Sequence, residues 1–222
     1  MLRASRLLLI ALLASCAKPS APVAVAALAV VQGDFQSGQA ARELAAPVVL
    51  RVTDADGNGI ANRTISLVVF TGGGSVDSVT IKSDARGEAR IRWTLGTTGP
   101  VQELRASLPG TTLEATKITA TALFPSTIVI AQGMGQTAKV NASLTSSVVV
   151  RVIGPGNVPM VGINVAFQVL VGGGSLSPQS IITGANGEAT TKWTLGPSPG
   201  VQSASILAGT LAPVLLTATA TP

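Results

Sequence analysis

The stretch Gly87-Glu88-Ala89-Arg90-Ile91-Arg92-Trp93-Thr94-Leu95-Gly96 returns, little changed, as Gly187-Glu188-Ala189-Thr190-Thr191-Lys192-Trp193-Thr194-Leu195-Gly196. Working outward, each copy follows a triple glycine and a serine (Gly72–Ser75, Gly172–Ser175) and precedes a Val-Gln pair (Val101-Gln102, Val201-Gln202), always at an offset of 100. Residues 51–102 and 151–202 share 18 of 52 positions, where chance would give roughly three. Unbroken register over this length marks a duplicated unit, and it predicts one domain at 25–124 and a second at 125–222.

Alternation inside the copies sets the fold class. Ala89, Ile91, Trp93 and Leu95 fall on one phase with Arg90, Arg92 and Thr94 on the other, the period of two of a strand with one buried face. Val48-Leu50-Val52, Ile65-Leu67-Val69 and Leu104-Ala106 repeat the pattern, as do Val148-Val150-Val152, Val165-Phe167-Val169 and Ala204-Ile206. Asp84-Ala85-Arg86-Gly87 and Gly184-Ala185-Asn186-Gly187 read as hairpin turns, and the triple glycines as strand ends. Roughly seven short strands per 100 residues predict two all-β antiparallel sandwiches in tandem. Trp93 and Trp193 lie on the inward phase and are expected to anchor the two cores. Next to Trp193, Thr191 replaces Ile91 on that phase, and a buried hydroxyl there requires a partner.

The amino terminus carries an address. Arg3 and Arg6 precede the apolar run Leu7–Ala14, which is too short for a membrane-spanning helix of roughly 20 residues. The run ends in Leu13-Ala14-Ser15-Cys16, which resembles the lipobox of bacterial lipoproteins and contains the only cysteine of the chain. The resemblance implies a signal peptide at 1–15, acylation of Cys16 and a short spacer over 16–24. An ordinary secretory signal with an incidental cysteine is the competing reading. Ala17 follows the cysteine, so the aspartate that resembles an inner-membrane retention signal is missing. The expected address is a lipid-anchored position in the cell envelope, at the outer membrane or cell surface.

Composition excludes several function classes. The chain has no histidine, which removes the commonest acid–base side chain and metal ligand. The formal charge of +5 includes Arg3, Arg6 and Lys18, ahead of the repeats, and residues 25–124 balance their acids and bases. Without clustered cations no nucleic-acid face is expected. No nucleophile is placed by motif beside a base, so no enzyme and no cofactor is expected. Asp54-Ala55-Asp56-Gly57-Asn58-Gly59 matches the opening of a calcium loop, with Asp54, Asp56 and Asn58 as candidate ligands. The bidentate glutamate that such a loop needs at its twelfth position is Ile65, so the segment reads as a hairpin turn.

The order Gly33-Asp34-Phe35-Gln36, Val52-Thr53-Asp54, Gly57-Asn58-Gly59, Gly72–Ser75 and Trp93–Gly96 resembles the bacterial immunoglobulin-like group 1 domains of the invasin and intimin class. The second copy departs at Met134 and at Gly154-Pro155-Gly156-Asn157. The resemblance implies immunoglobulin-like sandwiches used as stalks or adhesive modules on bacterial surfaces. The expected function is therefore a non-enzymatic envelope lipoprotein with a structural or adhesive role toward an unknown protein or surface partner. The alternative from another class is a glycan- or calcium-dependent receptor, against which the absence of tyrosine and the inward phase of both tryptophans weigh.

Overall fold

The computed structural model describes residues 23–222; the signal segment 1–15, Cys16 and most of the spacer lie outside the described residues. Ten strands form the first sandwich: β1 Ala27–Gln32, β2 Gln36–Gln39, β3 Val48–Thr53, β4 Thr64–Thr71, β5 Gly74–Val76, β6 Thr80–Lys82, β7 Glu88–Ile91, β8 Trp93–Leu95, β9 Val101–Ser107 and β10 Thr116–Leu123. Nine form the second: β11 Thr127–Gln132, β12 Thr137–Lys139, β13 Val148–Ile153, β14 Asn164–Val171, β15 Gly174–Ser177, β16 Ser180–Ile182, β17 Glu188–Leu195, β18 Gly200–Ala208 and β19 Val214–Thr221. Among the described residues the sole helical element is a single 3₁₀ turn at Pro155–Asn157, and no helix is long and apolar enough to cross a membrane.

In the first sandwich, β1-β3-β7 with the β5-β8 pair faces β2-β10-β9-β4-β6; in the second, β11-β13-β17-β15 faces β12-β19-β18-β14-β16. The ladders are antiparallel except one per sandwich, where β2 runs parallel to β10 and β12 parallel to β19. That exception comes from the first strand of each repeat changing sheets. After Gln32 the chain turns at Gly33, where a Cβ would stand 2.9 Å from the Cα of Val48, and β2 then joins the opposite sheet. Gln36 fixes the crossing, its Nε2 donating to the carbonyls of Gly33 and Ala46 (both 2.9 Å) and its Oε1 accepting from the Ala46 amide. Gln136 repeats this with Gly133 and Ser146.

Each sandwich has one core. The first is built on Leu50, Ile65, Ile91, Trp93, Leu104 and Ile118, the second on Val150, Val165, Phe167, Trp193, Ile206 and Leu216. These are the inward phases of the alternating runs, and burial of their apolar surface is the main force holding the sheets together. Val49 departs from the pattern: it is on the outward phase yet 2% exposed. In the register it lies between Gln32 of β1 and Arg90 of β7, whose long side chains flank it on that face.

The first sandwich has one strand more than the second because its Trp-bearing strand is interrupted. The strand carrying Trp93 breaks at Arg92, whose amide is taken by the Asp77 carboxylate (3.2 Å). In the second copy Ser177 and Lys192 pair in the backbone ladder, and β17 runs unbroken from Glu188 to Leu195.

Candidate functional site

The residues repeated between the copies converge on one place in each sandwich. The triple glycine does more than end a strand: Gly72 and Gly73 carry the chain from one sheet to the other, and Gly74 already begins β5. There it passes directly over Gly96, backbone against backbone. A Cβ on Gly96 would stand 1.9 Å from the Gly72 carbonyl oxygen, and one on Gly74 would stand 2.3 Å from that of Thr94. Only glycine permits that approach with Gly74 at φ +89°. Beneath the crossing lies Gln102, fully buried. Its Oε1 accepts from the Gly96 amide (2.9 Å) and its Nε2 donates to the Gly99 carbonyl (2.8 Å). Gln202 does the same with the Gly196 amide and the Ser198 carbonyl (both 2.8 Å). The triple glycine, the Trp-Thr-Leu-Gly run and the Val-Gln pair are thus three parts of one latch.

A second repeated polar group is the hydroxyl at 83 and 183. Ser83 Oγ donates to the Ile60 carbonyl (2.7 Å) and accepts from the Arg63 amide (2.9 Å); Thr183 Oγ1 joins Met160 and Ile163 in the same way. Sequence reasoning did not find these roles. The available signal was a polar residue kept in both copies on an inward phase, as Gln102 is ahead of Leu104 and Ala106.

The candidate calcium segment is a tight turn. Asp54 Oδ1 accepts from the amides of Asp56 (3.0 Å) and Asn58 (2.8 Å), and the Asn58 side chain donates to Oδ2 (3.2 Å). These bonds, that from Asn58 first, hold the Asp54 carboxyl below its usual range. Asp56 and Asn58 are exposed, and among the described residues no group of three or more acidic, histidine or cysteine side chains is gathered as a metal site.

Trp93 and Trp193 are 1% and 0% exposed, and the Nε1 of each is buried without a hydrogen-bond partner. Their rings fill the cores and are not presented to solvent. Thr191 is 1% exposed, and its hydroxyl donates to the Pro178 carbonyl (2.7 Å), which supplies the partner that its position requires. Cys16 lies outside the described residues.

A groove of about 350 Å³ opens on the outer face of the first sandwich, between Pro47, Asp77, Arg90 and the Arg92–Glu43 ion pair (2.8 Å). Its charges are of mixed sign and partly paired to one another, which favours neither an anion nor a cation.

No family model matches the chain, and no curated protein matches it. Solved structures do. The chain is similar to the D0-D1 domain of intimin, at 19% identity and a TM-score of 0.36, covering 87% of this chain and 95% of that one. It is similar to invasin, described as a bacterial integrin-binding protein, at 22% identity and a TM-score of 0.45, covering 88% of this chain and 39% of invasin. It is also similar to domains 4 and 5 of the S-layer protein SbsC, at 13% identity and a TM-score of 0.49, covering 89% of this chain and 99% of that one. The strand order carries the assignment by itself: in each repeat the first and third strands join the strand after the hairpin (β1-β3-β7 and β11-β13-β17) in one sheet, and the last two strands with the strand ahead of the triple glycine (β10-β9-β4 and β19-β18-β14) form the other. The protein is a tandem of two immunoglobulin-like β-sandwiches.

Proposed function

We propose that this protein is a non-enzymatic lipoprotein of the bacterial cell envelope, in which two immunoglobulin-like sandwiches are anchored through Cys16 and serve as a structural or adhesive surface module. One observation carries the reading: the residues shared by the two copies are spent inside their own sandwiches. Gly72–Gly74, Gly96 and Gln102 close the latch, Gln36 seats the strand crossing, and Trp93 fills the core. What duplication kept is the sandwich itself, as expected of a building unit rather than of a reactive centre. The lipobox-like Leu13-Ala14-Ser15-Cys16 supports the anchor, since acyl chains on one residue together hold a protein stably to a bilayer.

Expression of the full chain in a bacterium fed a labelled fatty acid tests the anchor. The mature protein should carry label and sediment with membranes, and Cys16→Ser should lose both. A mature chain that begins away from residue 16 and carries no label would refute the lipoprotein reading. Protease treatment of intact cells then reports exposure: cleavage supports a surface module, and protection until lysis overturns it.

A further inference from the structure

The two copies are alike in their latches and unlike where they meet, and the differences fit one another. At the end of β2, Gln39 of the first sandwich reaches the loop before β14 of the second and brackets a single residue. Its Nε2 donates to the Val161 carbonyl (2.7 Å), and its Oε1 accepts from the Val161 amide (3.0 Å). Arg42 adds a donor to the same carbonyl at 3.3 Å. This two-point grip on a backbone unit is the geometry by which a strand pairs with its neighbour, and it fixes orientation as well as distance.

Two substitutions between the copies make room for it. Gly162 stands where the first repeat has Asn62; a Cβ there would lie 2.5 Å from the Arg42 guanidinium. Gly154 stands where the first repeat has Asp54; a Cβ there would lie 1.9 Å from the Met160 Cε of its own sandwich and 2.9 Å from the carbonyl oxygen of Phe124, in the connecting segment. On the side of the first sandwich, Gln39 and Arg42 correspond to Lys139 and Ala142 of the second copy, which cannot make the same grip. The loss of acids at 154–157 therefore has a steric cause at the first of those positions. The connection itself is short, with the Ser126 amide already bonded to the Ile153 carbonyl at 2.8 Å.

We infer that Gln39 and Arg42 lock the two sandwiches into one rigid body, and that the repeats have specialised by position, the first supplying the side chains of the joint and the second the backbone they hold. Tandem domains move relative to one another by default unless the interface between them is built against it. Here it is built by a carboxamide and a guanidinium on one side and two glycines on the other.

Residual dipolar couplings of the isotopically labelled full chain provide the test. Couplings from strands of both sandwiches should fit a single alignment tensor. In Gln39→Ala/Arg42→Ala they should split into two tensors of unequal magnitude, while the strand chemical shifts within each sandwich stay in place. Gln39→Glu keeps the size of the side chain and its acceptor but removes the donor to the Val161 carbonyl, and should also lose the common tensor. Two tensors in the unmodified chain, or one shared tensor in the double variant, would overturn the inference.

Discussion

The first sandwich is pinned by Asp34, Asp54, Asp84 and Glu103, and the second reaches the same fold with one paired carboxylate, Glu188 on Arg151 (2.5 Å). Asp34 Oδ1 accepts from the Thr119 amide (2.8 Å), tying the turn after β1 to β10. At that place the second copy has exposed Met134, and the turn is held by the Gly135 amide on the Thr217 carbonyl (2.9 Å), a bond the first copy also makes from Phe35 to Thr119 (2.9 Å). Glu103, 6% exposed, bridges Arg105 (2.7 Å) and Lys117 (2.9 Å) across β9 and β10, with Arg105 stacked over Phe70 at 3.2 Å. The second copy places Ser203, Ser205 and Leu215 there. Asp84 caps the hairpin before β7 with bonds from the Arg86 and Glu88 amides, whereas Gly184 caps nothing. Yet both hairpins keep the same backbone bonds, Gly87 to Asp84 at 3.0 Å and Gly187 to Gly184 at 2.9 Å. The comparison separates two layers of stabilisation. Backbone ladders, latches and cores define the sandwich; charged side chains are additions to a fold already specified.

The strongest way to break this comparison is at the cores, where the copies should behave alike. Trp93→Ala and Trp193→Ala should each cost about 3–5 kcal/mol, because each removes a fully buried ring that the surroundings cannot replace. Urea denaturation followed by strand circular dichroism should show each variant lowering one transition and leaving the other in place. If either substitution lowered both transitions equally, the two cores would not be independent.

The latch sharpens the point at smaller scale. Gln102→Ala and Gln202→Ala strip the acceptor from a buried amide, Gly96 or Gly196, so a loss of about 1–3 kcal/mol is expected in each. Equal losses in the two copies support a shared structural role. A loss in one alone would assign the glutamines different duties.

Acid should distinguish the copies. The Asn58 amide on Asp54, the Glu88 amide on Asp84 and the Lys117 and Arg105 side chains on Glu103 hold these carboxyls below their ordinary values of 3.8, 3.8 and 4.5. A folded value below the unfolded one contributes stability that is complete above the unfolded value and is lost as pH falls through the folded one. The first sandwich should therefore weaken as pH drops from about 5 toward 3. At the matching positions the second has Gly154, Gly184 and Ser203 and forgoes this loss. Trp93→Phe and Trp193→Phe variants each leave one tryptophan to report its own sandwich. Parallel weakening of both over that range would contradict this difference between the copies.

Much of this was legible in the sequence because strand alternation is local. The inward phase of Ala89-Ile91-Trp93-Leu95 and its twin followed from spacing alone, and the offset of 100 gave the duplication. Three things were not legible, each for a physical reason. The sheet switch after Gln32 depends on how closely Gly33 approaches Val48, a tertiary distance. The break at Arg92 depends on a side chain, Asp77, competing with a backbone partner, and such competition leaves no periodic trace. The grip of Gln39 on Val161 joins residues 122 apart and appears in the sequence only as a mismatch between the copies.

The parallel rungs have a mechanical consequence. β2 lies near the start of the first sandwich and β10 at its end, and their register, Gln36 with Ala120 through Gln39 with Leu123, runs the same way along both. Tension applied between the two ends of a sandwich draws these strands past each other along their length. The rungs are then strained together, in shear, instead of parting one after another as a zipper does. β12 and β19 repeat the arrangement in the second sandwich. A chain tethered at one end and pulled at the other would meet its resistance at these two short ladders, with the hydrophobic cores behind them.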